Sequence, residues 1–275
     1  MLTPESCLVL RKAGNDQLVV TADFAATGRT TATFHDLAER LRADCTIWEI
    51  APVPYGQERG MTGTDQVDRW IGDIRGSGLW VRAVVGFCGG NAYAAALAER
   101  VARWQDPPRL VLLDPGIPRP YMLGRHIEGW LRRYAGSFAP DHLAAAREEV
   151  AAVATSGEHP LVLAARLGEL FGRAVAPALV RAGHSTRAAN DFTRLVTGYL
   201  CWLAGAMQLD PRPQWRTAPA LNSNSPDFGL FLAPPQERAT LVGSVRYFDV
   251  AHADLMRDGE VAAAVDELLG DRSGR

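Results

Sequence analysis

Val81-Arg82-Ala83-Val84-Val85-Gly86-Phe87-Cys88-Gly89-Gly90-Asn91-Ala92-Tyr93-Ala94-Ala95-Ala96-Leu97-Ala98 decides how this chain is read. Val81 to Val85 is a short, mostly apolar run rich in β-branched side chains, the pattern of a buried strand. Gly86 to Gly90 reads as a tight turn. From Asn91 to about Arg103 the chain is Ala-rich, with Leu97 and Val101 at helical spacing, so a helix follows. A strand, a sharp turn and a helix place the apical residue, Cys88, in a strained backbone conformation. The glycines two residues to either side then have a mechanical reason: side chains there would meet the crossing strand and helix. Gly89 would offer its N–H to an oxyanion. The competing reading is a glycine turn with an incidental buried thiol, since free Cys is among the most buried residue types. The rest of the chain has to separate the two.

The sequence has 275 residues, of which 47% are hydrophobic and 22% charged, enough for a sizeable core. The formal net charge of -2 gives no argument for nucleic acid or an anionic membrane. Lys12 is the only lysine, and nearly all positive charge is Arg, which reads as coding bias rather than function. Cys7, Cys45, Cys88 and Cys201 are scattered, with no C-x-x-C pair, so reduced thiols are expected rather than disulfides or a zinc site. The first residues show no basic and apolar leader, and no window holds 18 apolar residues; the expectation is a soluble, cytoplasmic protein with no membrane or nucleic-acid partner.

Before the elbow, strands are expected at Cys7–Leu10, Gln17–Ala22 and Cys45–Ile50, and helices at Ala32–Leu41 and Asp65–Ile74. Asp23-Phe-Ala-Ala-Thr-Gly28 forms a loop between strand and helix. After the elbow, Arg109–Leu113 is another apolar strand, closed by Asp114-Pro115-Gly116. Such alternation implies a mostly parallel sheet with helices on both faces. Function in such sheets gathers at the carboxyl ends of strands, where both Cys88 and Asp114 fall. From about 119 to 215 the character changes to helices without strand signals: Met122–Tyr134, Asp141–Thr155, Pro160–Ala174 and Arg187–Met207. This insertion reads as a lid. Trp130, Phe171, Tyr199 and Trp202 either line an acyl channel or pack the lid. The sheet resumes at Ala218–Asn222 and Ser244–Val250, and a last helix spans Glu260–Leu269. No repeat or linker interrupts, so one domain over 1–275 with an inserted lid at about 119–215 is expected.

Of six histidines, His252 alone sits past the last strand and before the last helix. In chain order the set is Cys88, an acid, then His252, the order of the α/β-hydrolase nucleophile–acid–histidine set. His252 would take the thiol proton, and the acid would hold its ring. Two acids compete, Asp114 after the elbow's neighbouring strand and Asp227 after the following one, and spacing does not separate them.

The elbow, Leu110-Val-Leu-Leu-Asp114-Pro-Gly-Ile-Pro-Arg-Pro120, the helical insertion and Asp249-Val-Ala-His252-Ala-Asp-Leu-Met256 together resemble the α/β-hydrolase thioesterase domains that end polyketide and nonribosomal peptide assembly lines. The resemblance implies an α/β-hydrolase fold. It favours Asp114 as the acid, with Asp227 as the alternative that stand-alone thioesterases would match. It implies Cys88 as nucleophile, His252 as base, and an oxyanion hole from Gly89 with Ala26 or Thr27. The substrate would be an acyl group on phosphopantetheine, delivered by an acyl or peptidyl carrier protein, with no other cofactor and no metal. The chain departs from the pattern in carrying Cys for Ser and in lacking prolines in the 23–28 loop. Small-ester or lactone hydrolases of the dienelactone hydrolase kind also carry a Cys elbow and are the alternative enzyme. A non-catalytic acyl or carrier-protein binder is the alternative outside enzymes. The acyl substrate, and the choice of hydrolysis against cyclisation or transfer, are not written in the sequence.

Overall fold

The computed structural model describes residues 4–24, 31–54, 56–58 and 60–270. Seven strands form one sheet, β1 (Cys7–Arg11), β2 (Gln17–Ala22), β3 (Thr46–Ile50), β4 (Trp80–Phe87), β5 (Arg109–Leu113), β6 (Pro219–Asn222) and β7 (Ser244–Tyr247), in the order β1-β3-β2-β4-β5-β6-β7. β1 pairs antiparallel with β3, and every other pairing is parallel. The central strands are buried on both faces, so they read as continuous apolar runs rather than as alternation.

The helices that flank this sheet are α1 (Phe34–Arg40), α2 (Gly63–Gly76) and α3 (Gly90–Val101), followed late in the chain by α8 (Arg212–Trp215), α9 (Pro235–Leu241) and α10 (Gly259–Gly270). Strand periodicity sends alternate side chains to opposite faces. Ala83, Val85 and Phe87 of β4 join Phe34 and Leu37 of α1 and Val261, Val265 and Leu269 of α10 in one core. On the other face, Trp70 of α2 meets Tyr93 of α3 edge-on, with ring centroids 5.0 Å apart.

Contacts divide the chain into two compact units. One comprises Met1–Ala51, Asp65–Ile117 and Leu209–Arg275; the other comprises Pro52–Thr64 and Pro118–Gln208. The first holds the sheet. The second is helical, with α4 (Tyr121–Arg133), α5 (Pro140–Ala154), α6 (Pro160–Arg181) and α7 (Thr186–Ala206). Its interior contains an aromatic group in which Trp130 lies 5.6 Å from Phe171 and 6.0 Å from Tyr199 between centroids. The helical segment expected to end at residue 215 reaches only Gln208: Trp215 belongs to the sheet unit, where its Nε1 donates to the carbonyl of Asn91 at 3.3 Å. Residues 52–64 group with the helices, and the Gly63 N–H donates to Gln208 Oε1 at 3.0 Å.

Three expected boundaries move for physical reasons. β4 runs on through Gly86 and Phe87, because both continue the ladder to β5. α6 passes beyond Ala174 and through Pro177. Proline removes one helical hydrogen bond, but Val175, Ala178 and Leu179 are buried, and tertiary packing outweighs that local cost. β7 stops at Tyr247, after which Phe248 turns inward and its N–H donates to the carbonyl of Asn222 at 2.9 Å. No described helix is long and apolar enough to cross a membrane.

Candidate active site

The carboxyl ends of β4 and β5 carry the two described non-glycine residues with left-handed backbone, Cys88 at φ 50 and Asp114 at φ 44. Side chains cost energy in that region, so surrounding structure must impose it. At Cys88 the imposing bonds are explicit. Its N–H donates to the Leu113 carbonyl at 3.0 Å, and its own carbonyl accepts from the Asn91 N–H at 3.2 Å. The Asn91 side-chain amide donates to the carbonyls of both Cys88, at 3.0 Å, and Leu113, at 2.8 Å. One buried amide therefore ties the elbow to the strand end that bears Asp114.

The glycines are sterically required. A Cβ on Gly86 would lie 2.6 Å from Asn91 Cα and 2.8 Å from the Ala94 Cβ, both in α3. A Cβ on Gly90 would run into the carbonyl of Ala22 at the end of β2. This crossing of strand and helix is what the sequence pattern predicted for both positions. Gly89 caps α3, and its N–H has no acceptor among the described residues. A helix amino terminus carries partial positive charge, which favours an oxyanion beside Cys88.

His252 opens a short 3-10 turn, His252–Arg257. Its Nδ1 lies 2.7 Å from Asp114 Oδ2, and both groups are buried. Asp114 Oδ1 accepts from the Ser223 N–H at 2.7 Å, so each carboxylate oxygen has a donor. Cys88 acts on the same imidazole, and with Nδ1 committed to Asp114, Nε2 is the nitrogen left to meet the thiol. Burial works against a charged ring and is the largest single influence on it. The hydrogen bonds and charges of Asp114 and Cys88 together outweigh burial and push the His252 pKa up to about 9.

Cys88, Asp114 and His252 are thus brought together. Asp227 is not: it is exposed, on the loop after β6, and that loop turns the Ser223 N–H toward Asp114 instead. Ala26 and Thr27 lie outside the described residues. The other three thiols are buried. Burial pushes Cys7 up to about 12 and also raises Cys45, which makes both poor nucleophiles. Cys88 is half-buried.

Five further residues shape the site. Asn91 was hidden in an Ala-rich helix; its only signal is a lone amide among small residues. Gly229, at φ +58, lets the 222–230 loop close on the acid, since a Cβ there would lie 2.8 Å from Asp114 Oδ1. Ser225 Oγ accepts the His252 N–H at 2.8 Å and fixes where the turn starts. Phe228 stacks on the His252 ring with centroids 3.9 Å apart, while Phe87 stacks with centroids 4.7 Å away. Phe87 continues the alternation of Ala83 and Val85 beyond the expected end of the strand; nothing in the spacing announces Phe228, Ser225 or Gly229. Among the described residues no group of three or more His, Cys, Asp or Glu could hold a metal ion. A separate cleft of about 540 Å³ opens at the amino ends of β5, β6 and β7, and Gln214 donates to Glu99 at 3.2 Å on its wall. It lies at the opposite end of the strands from Cys88.

No sequence-family model matches this chain, and no curated protein matches it. Solved structures do. The NocB thioesterase domain, in covalent complex with a fluorophosphonate nocardicin G analogue, is 18% identical with a TM-score of 0.53, covering 94% of this chain and 96% of that one. The Vlm2 thioesterase domain bound with a dodecadepsipeptide is 16% identical with a TM-score of 0.51, covering 96% and 98%. An acetylester hydrolase from Corynebacterium glutamicum is 13% identical with a TM-score of 0.50, covering 96% and 88%. At these identities the likeness is one of fold: the chain has the α/β-hydrolase fold of thioesterase domains.

Proposed function

We propose that this protein is a thioesterase-like acyl-transfer enzyme that releases an acyl chain from a phosphopantetheine carrier through a Cys88 acyl-thioester. The observation that carries the reading is a half-buried thiol on a left-handed elbow, beside a histidine whose Nδ1 lies 2.7 Å from a buried carboxylate and which that thiol helps keep protonated. A structural cysteine needs neither the strain nor the histidine. The fold shared with the NocB and Vlm2 thioesterase domains supports a carrier-bound acyl or peptidyl substrate.

In this reading His252 holds the thiol proton as an imidazolium, and Asp114 fixes the ring with Nε2 toward sulfur. The Cys88 thiolate attacks the thioester carbonyl, whose oxygen becomes an oxyanion held by the Gly89 N–H. Ala26 or Thr27 is proposed for the second donor. The intermediate collapses, the carbon–sulfur bond to pantetheine breaks, and the departing sulfur takes the proton from His252. An acceptor bearing an N–H or O–H then gives His252 its proton, attacks the acyl-thioester and expels the Cys88 thiolate. A lid role for the helical segment that ends at Gln208, an acyl or peptidyl carrier as partner, and cytoplasmic location belong to the same proposal.

Exchanging one thioester for another is close to thermoneutral, whereas a serine ester would be a lower-energy intermediate. Cys88 therefore keeps the acyl group activated for an internal or weak nucleophile, giving cyclisation or transfer. The test compares Cys88→Ser with the parent on one acyl-pantetheine substrate. The account expects a shift of products toward free acid and slower transfer; the same product distribution at a similar rate overturns the preference for transfer. The acetylester hydrolase that shares the fold makes simple esters the control: turnover of these with indifference to pantetheine selects the hydrolase reading. Inertness toward both, with acyl binding retained, selects the binder.

A further inference from the structure

Among the described residues, the His252 ring is enclosed at its edge and on both faces. Its edge is taken by Asp114 at Nδ1 and by the Cys88 thiol. Its faces are taken by two phenyl rings nearly parallel to it, Phe228 at 3.9 Å and 8°, and Phe87 at 4.7 Å and 14°. Little of it reaches water. A buried imidazolium without water must find its stabilisation in the protein. The face of a phenyl ring carries negative potential and attracts a cation placed over it, more strongly when water is excluded.

The two phenyls differ in origin. Phe87 belongs to the core, packed among the residues of α1, α10 and the His252 turn. Phe228 is 39% exposed, so its place is not set by burial in the core. Its conformation is set by its own loop. The Phe228 N–H donates to the Ser225 carbonyl at 3.2 Å, and the next residue, Gly229, takes the left-handed backbone that turns the chain back under Asp114. The same Ser225 holds the His252 N–H through its Oγ. One loop thus sets both the histidine backbone and the ring laid over its side chain.

We propose that Phe228 is a positioning residue that lies on His252, holds its ring plane between Asp114 and Cys88, and stabilises its protonated form so that Cys88 rests as a thiolate. This rests on reading Cys88, His252 and Asp114 as one catalytic set. The charged groups facing the ring are Asp114 and Cys88. Those on neighbouring elements are engaged elsewhere. Asp254 and Arg257, on the same turn, pair with each other at 3.2 Å. Asp36 of α1 accepts from the Thr33 N–H, and Asp258 accepts from the first N–H groups of α10. Asp249 accepts from Asn224 on the 222–230 loop, and Asp227 is exposed.

The test follows the His252 imidazole by NMR against pH, its signal identified among six histidines by its loss in His252→Gln. Phe228→Leu keeps apolar bulk and removes the π face; Phe228→Trp restores a π face. Phe228→Leu is expected to lower the pH at which His252 gives up its proton by about 0.5–1.5 units and to slow Cys88 alkylation above about pH 7.5, where the variant has given up more of that proton than the parent. Phe228→Trp returns both to the parent values. Phe228→Met, with similar bulk and no π face, repeats the result if the leucine variant is unstable. Parent-like titration in Phe228→Leu, or a fall in Phe228→Trp equal to that in Phe228→Leu, overturns the proposal and leaves the catalytic set standing. A parent His252 that titrates like a free imidazole and is unmoved by Asp114→Asn overturns the set and this role with it.

Discussion

Asp114→Asn tests the geometry of the site at one atom. In the parent, Asp114 Oδ1 accepts from the Ser223 N–H at 2.7 Å, while Oδ2 faces His252 Nδ1 at 2.7 Å. Asparagine has one acceptor and one donor group at its tip. Because Ser223 presents a backbone donor, the amide oxygen must take the Oδ1 place, which forces the NH₂ group toward Nδ1. Nδ1 must then accept, the ring proton moves to Nε2, and the nitrogen facing Cys88 loses its lone pair. The negative charge that helps hold the imidazolium is lost as well. A positioned general base contributes about 10²–10⁴ in rate, and the same exchange in a serine hydrolase costs about 10⁴. We therefore expect acylation of Cys88 to slow by about 10³-fold, equivalent to about 4 kcal/mol of barrier. The fold should survive, since the Ser223 bond and the side-chain volume are kept. The assay is single-turnover acylation by an acyl-pantetheine thioester, with iodoacetamide alkylation at pH 7 as a substrate-free measure of thiolate. Asp227→Asn serves as the control and should be silent. Acylation within tenfold of the parent in Asp114→Asn, or a large loss in Asp227→Asn, refutes the assignment of the acid.

The same geometry sets other expectations. Asn91→Ala removes two amide bonds that tie the elbow to β5, so stability should fall by about 2 kcal/mol in urea unfolding and Cys88 alkylation should slow. Gly90→Ala places a methyl on the Ala22 carbonyl, and separating β2 from α3 should cost about 1–3 kcal/mol by the same measurement, with loss of acylation. The His252 pKa is raised to about 9 in the folded protein, against about 6.5 for a free imidazole. A group with a raised folded pKa contributes stability that is complete below the unfolded value and is lost as pH rises through the folded one. The stability gap between the parent and His252→Gln should therefore be largest below about pH 6.5 and shrink toward pH 9, as followed by urea melts across that range.

What was legible in the sequence was local. The elbow could be read because glycine at 86 and 90 records steric contacts with α3 and β2, and sterics act on the residue itself. β2 and β5 were legible to the residue because buried parallel strands are continuous apolar runs. The choice of Asp114 over Asp227 could not be made from spacing. It depends on how the 222–230 loop folds back, which involves bonds from Ser223 to a residue 109 positions away and from His252 to a serine 27 positions away. Phe228 was illegible for the same reason: its place over His252 depends on how that loop folds back. α6 runs beyond the expected end at Ala174 and through Pro177, because the packing that outweighs the local cost of proline leaves no mark on the local pattern. The end of the helical segment at Gln208 rather than residue 215 likewise depends on where Trp215 packs.

The most direct test of the central claim is the intact mass of the protein after brief incubation with a panel of acyl-pantetheine thioesters, beside Cys88→Ala. The account predicts a mass increase equal to one acyl group on the parent, absent in Cys88→Ala, that decays faster with an amine acceptor than with water. An adduct that persists in Cys88→Ala, or thioester turnover that Cys88→Ala does not impair, would contradict it.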